Sequence, residues 1–172
     1  MTRQLLLVRH AKSSWDDHSL ADRARPLAPR GVAALPKMRE HVARLGASVD
    51  LVLCSPAQRT LDTLAGIRPS LPDDARVAIE DHLYGIDEPQ LLERLRTLDD
   101  EVRAVMVVGH NPTLQGLGSL LAGTGDPSEL EHLRTKFPTG AVATLTFDGA
   151  WSTLGPDRAH LDHLFMPRRP RS

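Results

Sequence analysis

Cysteine is all but missing from this chain. Cys54 is the only one among 172 residues, so no disulfide can form within the chain, and a cytoplasmic location is expected. The first twenty residues carry Arg3, Arg9, Lys12, Asp16 and Asp17, which is not the composition of a secretory leader. No apolar run approaches the roughly 20 residues needed to cross a bilayer, so no membrane partner is expected. Aromatic residues make up only 3%, which implies an aliphatic core and leaves few platforms on which nucleic-acid bases could stack. A net charge of −1 gives no overall attraction to a polyanion. Nucleic acid is therefore not an expected partner either.

What is present has the size of one domain: a single domain is expected over 1–166, followed by a basic, proline-rich tail at 167–172. Four short apolar runs have the look of buried strands: Gln4–Val8, Asp50–Cys54, Arg76–Ile79 and Arg103–Val108. Helical periodicity lies between and after them. Pro29–Leu45 places Val32, Leu35, Met38, Val42 and Leu45 on one face, with Pro36 taken as close enough to the first turns to be tolerated. Glu88–Leu98 repeats the pattern, while Pro112–Leu121 and the stretch from Asp126 open on prolines suited to a first turn. Ala141–Phe147, Trp151–Leu154 and Ala159–Phe165 are expected as later strands, antiparallel or at an edge. The fold class is thus α/β: a three-layer sandwich with a mainly parallel central sheet flanked by helices.

In such sheets ligands bind beyond the carboxyl ends of the parallel strands. The four exits here are Arg9-His10, Ser55-Pro-Ala-Gln-Arg59, Glu80-Asp81-His82 and Gly109-His110-Asn111-Pro112. All are polar or charged. Two arginines offer planar forks matched to phosphate oxygens, and a helix starting near Pro56 aims free amides at the same place. The natural guest is a phosphoryl group, whose transfer is governed by positioning and cationic stabilisation. A histidine among such cations is kept neutral, and a neutral imidazole nitrogen is a nucleophile.

Two rival chemistries fit poorly. A thiolate phosphatase needs five residues between its cysteine and arginine in a phosphate-cradling loop, yet only four lie between Cys54 and Arg59 and none is glycine. Cys54 instead suits a buried, inert thiol. The eight histidines are scattered, and His160 and His163, three apart on an expected strand, point to opposite faces. No metal site and no cofactor are expected.

Leu-Leu-Leu-Val-Arg9-His10-Ala-Lys-Ser-Ser-Trp15, Asp22-Arg-Ala-Arg25-Pro26-Leu27-Ala-Pro-Arg30-Gly31, Ser55-Pro56-Ala57-Gln-Arg59-Thr and Val-Gly109-His110-Asn111-Pro112 resemble the histidine phosphatase superfamily, whose fold is phosphoglycerate mutase-like. Arg-His-Ala-Lys-Ser in place of the commoner Arg-His-Gly, the Arg-Pro-Leu block and the short chain point to its SixA-type phosphohistidine phosphatases. The resemblance implies that His10 attacks phosphorus and carries the phosphoryl group, and that Arg9, Arg59 and His110 bind its oxygens. Ser13, and Asn111 beside His110, are further substrate-binding candidates. Asp81 is the implied proton donor, with Glu80, His82 or no residue as alternatives. Relatives acting on sugar or glycerate phosphates carry a helical lid insertion, whereas the whole stretch from Arg59 to Val108 here holds little more than a strand and two helices. The implied activity is metal-independent dephosphorylation of phosphohistidine on a protein. The other readings are a general phosphoesterase acting on small phosphorylated metabolites and a phosphate-binding domain without turnover. Lys12 and Arg25 are expected at the surface.

Overall fold

A computed structural model describes residues 1–45 and 48–168. Of the expected tail only Pro167 and Arg168 are among them. The strands are β1 (Thr2–Arg9), β2 (Leu51–Cys54), β3 (Arg76–Ile79), β4 (Ala104–Gly109), β5 (Ala122–Gly125), β6 (Val142–Asp148) and β7 (Ala159–Phe165). The helices are α1 (Pro29–Arg44), α2 (Gln58–Ile67), α3 (Glu88–Arg96), α4 (Thr113–Leu121) and α5 (Pro127–Thr135). One sheet holds all seven strands in the order β3-β2-β4-β1-β6-β7-β5. Strands β3, β2, β4 and β1 are mutually parallel, and β6 runs antiparallel to both β1 and β7.

Both faces of the sheet are covered, which is why its central strands read as unbroken apolar runs rather than as alternation. Leu5 and Leu7 of β1, with Val105 and Val107 of β4, face a core completed by α3, α4, α5 and the buried Trp151. Leu6 and Val8, with Met106 and Val108, face the opposite core beneath α1 and α2. Pro36 lies within an unbroken α1. Trp151–Leu154 is not a strand: Trp151–Thr153 is a 3₁₀ turn that drops the indole into the first core, where its Nε1–H donates to the Val102 carbonyl at 2.7 Å. Nor is β3 buried, since it forms the sheet's edge with Val77 and Ile79 exposed.

Register is what assembles the exits. Val8 pairs with Val108 and Arg9 with Gly109, and the His10 amide donates to the Gly109 carbonyl at 3.1 Å. On the other flank of β4, Cys54 pairs with Val108 and the Ser55 amide donates to the Val108 carbonyl at 3.1 Å. His10, Ser55 and His110 thus leave the sheet side by side.

Candidate active site

His10 is buried, 7% exposed. Its Nδ1 lies 2.7 Å from its neighbour Ala11's carbonyl oxygen. A carbonyl can only accept, so Nδ1 carries the proton and Nε2 is left with its lone pair. The Ala11 amide donates to Thr63 Oγ1 at 3.0 Å, which ties the segment carrying His10 to α2. The ring of His110 stands 5.4 Å from that of His10, centroid to centroid. His110 Nε2 is 2.8 Å from Ser55 Oγ. That oxygen also accepts from the Ala57 amide at 3.3 Å, which ties the start of α2 to His110 through Ser55.

Both imidazoles are held neutral. Burial pushes His10 down to about 3, and His110, Arg59 and Arg9 push the same way against the opposing Ala11 bond. Burial likewise takes His110 down to about 4, with Arg59 and Arg9 adding to the effect and Asp22 opposing it. The sign for stability follows. Unfolded imidazoles protonate near pH 6.5 while the folded ones do not until about 3 to 4, so the unfolded chain binds more protons across that interval. Their contribution therefore lowers stability as pH falls below about 6.5 and costs nothing above it. In an NMR titration the His10 and His110 ring protons should keep neutral shifts down to about pH 5, and added tungstate should raise both midpoints because an anion favours imidazolium. A midpoint near 6.5 in the free protein would contradict this environment.

The arginines approach from two sides. Arg9 donates through Nη1 to the Phe137 carbonyl at 3.0 Å, while its buried Nε has no partner among the described residues. A buried cationic donor without an acceptor is costly unless a ligand supplies one. Arg59, 9% exposed on the first turn of α2, donates to the Asp22 backbone carbonyl at 2.9 Å and to its Oδ2 at 3.1 Å. Asp22 also accepts from Arg25 Nη1 at 2.9 Å and from the Tyr84 hydroxyl at 2.5 Å. The Tyr84 bond, with Arg25 and Arg59 beside it, holds the Asp22 carboxyl down to about 2 against the opposing effect of burial.

Asp22 and Tyr84 were not singled out by the sequence for any role. The only signals are that Asp22 opens the Asp-Arg-Ala-Arg-Pro-Leu block and that Tyr84 is the chain's one tyrosine. Asp22 follows no strand, and Tyr84 lies past Glu80-Asp81-His82 at the end of the turn that begins with Asp81, beyond the charged residues the exit rule picked out. Ser13 lies in the same network, its Oγ accepting from Arg25 Nη2 at 2.7 Å. Arg25 is not at the surface: it is 5% exposed, lies over the Trp15 ring and donates to the Ser14 carbonyl at 2.9 Å. Lys12 is half-buried.

The third exit does not join the cluster. Asp81 begins a 3₁₀ turn, Asp81–Tyr84, that points its carboxylate outward. The side chain is 87% exposed and pairs with Arg23 at 3.3 Å. Glu80 is held by Arg94 Nε from α3 at 2.8 Å and 3.1 Å, and His82 Nε2 lies 4.0 Å from Glu80. Asn111 is committed to the loop: its Nδ2 donates to the Phe137 carbonyl and to Gln115 Oε1, and its Oδ1 accepts from the Gln115 amide. That leaves the amide with no donor to spare for a phosphoryl oxygen. Cys54 is fully buried, and burial pushes its thiol up to about 12, an inert state. No group of three potential metal ligands occurs among the described residues.

Beside His110 lies a recess of about 240 Å³, walled by Leu83, Tyr84, Ile86, Leu91 and Leu114 among others. No helix among the described residues is long and apolar enough to cross a membrane.

A neutral imidazole with a free nitrogen thus lies near a second imidazole and two guanidinium groups at the carboxyl edge of a parallel sheet. A family model described as histidine phosphatase superfamily (branch 1) matches residues 5–88. An uncharacterized protein of Mycobacterium tuberculosis H37Rv is 36% identical over 165 residues, spanning 94% of this chain and 100% of the relative. A protein from Nakamurella multipartitia assigned as a phosphohistidine phosphatase SixA superposes with a TM-score of 0.82 at 32% identity, covering 97% of each chain. A SixA protein histidine phosphatase solved with tungstate shares the fold, with a TM-score of 0.76 at 23% identity over 95% of this chain and 97% of that one. The chain belongs to the histidine phosphatase superfamily and, within it, to the SixA-type group. It is a phosphatase of phosphoglycerate mutase-like fold without a large insertion.

Proposed function

We propose that this phosphatase removes the phosphoryl group from phosphohistidine on a protein through a phospho-His10 intermediate. His10 Nε2 attacks phosphorus, the P–N bond to the substrate imidazole breaks, and the electron pair leaves with that imidazole. Arg9, Arg59 and His110 neutralise the oxygens as charge spreads over them. Water then attacks the phospho-His10 phosphorus, releasing inorganic phosphate and restoring the free imidazole.

The observation carrying this reading is how the carboxyl groups are disposed. Asp81 faces solvent on Arg23, Glu80 is clamped by Arg94, and Asp22 is held as a carboxylate by Tyr84, Arg25 and Arg59. None of these groups is poised as a general acid. An alkoxide leaving group needs one. An imidazole does not, because its second ring nitrogen takes a proton from water before the P–N bond breaks. The largely apolar recess beside His110 also suits a flat ring better than a polyhydroxylated one, whose hydroxyls would need partners there. A phosphohistidine peptide should show kcat/KM at least a hundredfold above that of small alkyl phosphates. Comparable values would instead support a general phosphoesterase, and no turnover of any substrate would support a phosphate-binding domain.

A further inference from the structure

Separated from the cluster by the Phe137–Gly140 turn lies a second cavity, of about 230 Å³, that the reaction does not use. Its walls carry Lys12, Arg30, Lys136 and Arg168 together with Pro138 and Thr139, and no acidic side chain lines it. Such a grouping is conspicuous in a chain whose net charge is −1. None of the four cations forms an ion pair among the described residues, so all four charges at the cavity are left unneutralised by the fold. The first turn of α1, which contributes Arg30, has no acidic residue, and its cap residue Ala28 supplies no side-chain bond. Arg30 therefore adds positive charge to a helix end that is already positive, an arrangement that favours a bound anion.

The cavity is coupled to the reacting residues through the backbone. Lys12 follows His10 by two residues, which an extended chain spans in about 7 Å. The Gly140 amide donates to the carbonyls of Arg9 and His10, and the Phe137 carbonyl accepts from Arg9 and Asn111. An acidic side chain a few residues from a phosphorylated residue would therefore reach Lys12 and Lys136 while the phosphoryl group sat on His10.

We propose that this basic cavity is a substrate-selecting subsite that binds Asp or Glu side chains flanking the phosphohistidine of a protein substrate. The inference rests on the phosphohistidine reading above. The gain comes from several partly exposed charge pairs, so it is modest and sensitive to salt. The test uses the exposed pair Arg30→Glu and Lys136→Glu in one variant. Two phosphohistidine peptides are compared, one flanked by Glu and Asp and one with Gln and Asn in their places, with a small phosphoramidate as the reference.

Wild-type protein should favour the acidic peptide about tenfold in kcat/KM, mostly through KM, and should lose the preference in high salt. The variant should show no preference and should keep wild-type kcat/KM on the small phosphoramidate within about twofold. A fluorescent, unphosphorylated acidic peptide should bind the wild type and lose at least tenfold in affinity for the variant. Equal kcat/KM for both peptides on the wild type, or a preference that survives in the variant, overturns the subsite. So does a gain for a small bisphosphate without one for the acidic peptide. Failure of both peptides with the wild type, alongside turnover of small alkyl phosphates, overturns the phosphohistidine reading and the subsite together. Peptide turnover without acid preference overturns the subsite alone.

Discussion

Replacing His10 with Ala is expected to lower kcat on a phosphohistidine peptide by at least about 10⁴-fold while leaving the affinity for tungstate nearly intact. The nucleophile splits one displacement into two, and no neighbouring group can stand in for it. His110 is engaged through Nε2 by Ser55, and the Cys54 thiol is buried and held protonated. The anion, by contrast, is held by charge and by donors from Arg9, Arg59 and His110, which the substitution leaves in place. Loss of His10 removes an imidazole from a buried site, so circular dichroism and thermal unfolding should accompany the kinetics to show that the fold persists. An Ala variant retaining a tenth of the activity would mean that water attacks the substrate directly.

Arg59→Ala is expected to cost about 10²- to 10³-fold in kcat/KM, the range seen when one preorganised donor to a developing oxyanion is removed. The loss should fall on kcat as well as KM, because charge on the equatorial oxygens is greatest in transfer. Arg59 is well preorganised. The residue is only 9% exposed and its guanidinium is fixed by two bonds to Asp22, which is in turn fixed by Tyr84 and Arg25. Arg59→Lys should recover little, since an ammonium cannot span the Asp22 carbonyl and carboxylate with a planar fork. Activity within about threefold of wild type for Arg59→Ala would show that Arg9 and His110 suffice and would remove Arg59 from the site.

Legibility in the sequence followed burial. β1 and β4 could be read as strands because layers on both faces force continuous apolar residues, and the first, second and fourth exits do converge. β3 lay where expected, but its edge position was invisible: Val77 and Ile79 are apolar whether they are buried or not. β5, Ala-Gly-Thr-Gly, has neither period nor bulk and pairs with β7 only through tertiary placement. Trp151–Leu154 shows the converse, a large apolar residue whose burial comes from a 3₁₀ turn rather than a strand.

The site was harder to read wherever side chains are set by loops. Arg25 looks like a surface arginine until Asp22, Ser13 and Trp15 are brought around it by a segment with no repeating pattern. Asp81 follows its strand as the exit rule requires, yet the turn it begins swings it away from His10 and onto Arg23. Asn111 stands next to His110 but spends its amide on the Phe137 carbonyl and Gln115. The question of which His10 nitrogen is free has no sequence signal at all, because its answer is a backbone carbonyl one residue on.

The most direct test of the account is to mix the protein with a phosphohistidine peptide labelled on phosphorus, quench within milliseconds in alkali, and locate the label. The label should appear on the protein transiently, at His10, stable in base and lost in acid as a phosphoramidate is, and it should be absent from the His10→Ala variant. Label passing to inorganic phosphate with no protein-bound stage at any time, or a bound stage that persists without His10, would contradict it.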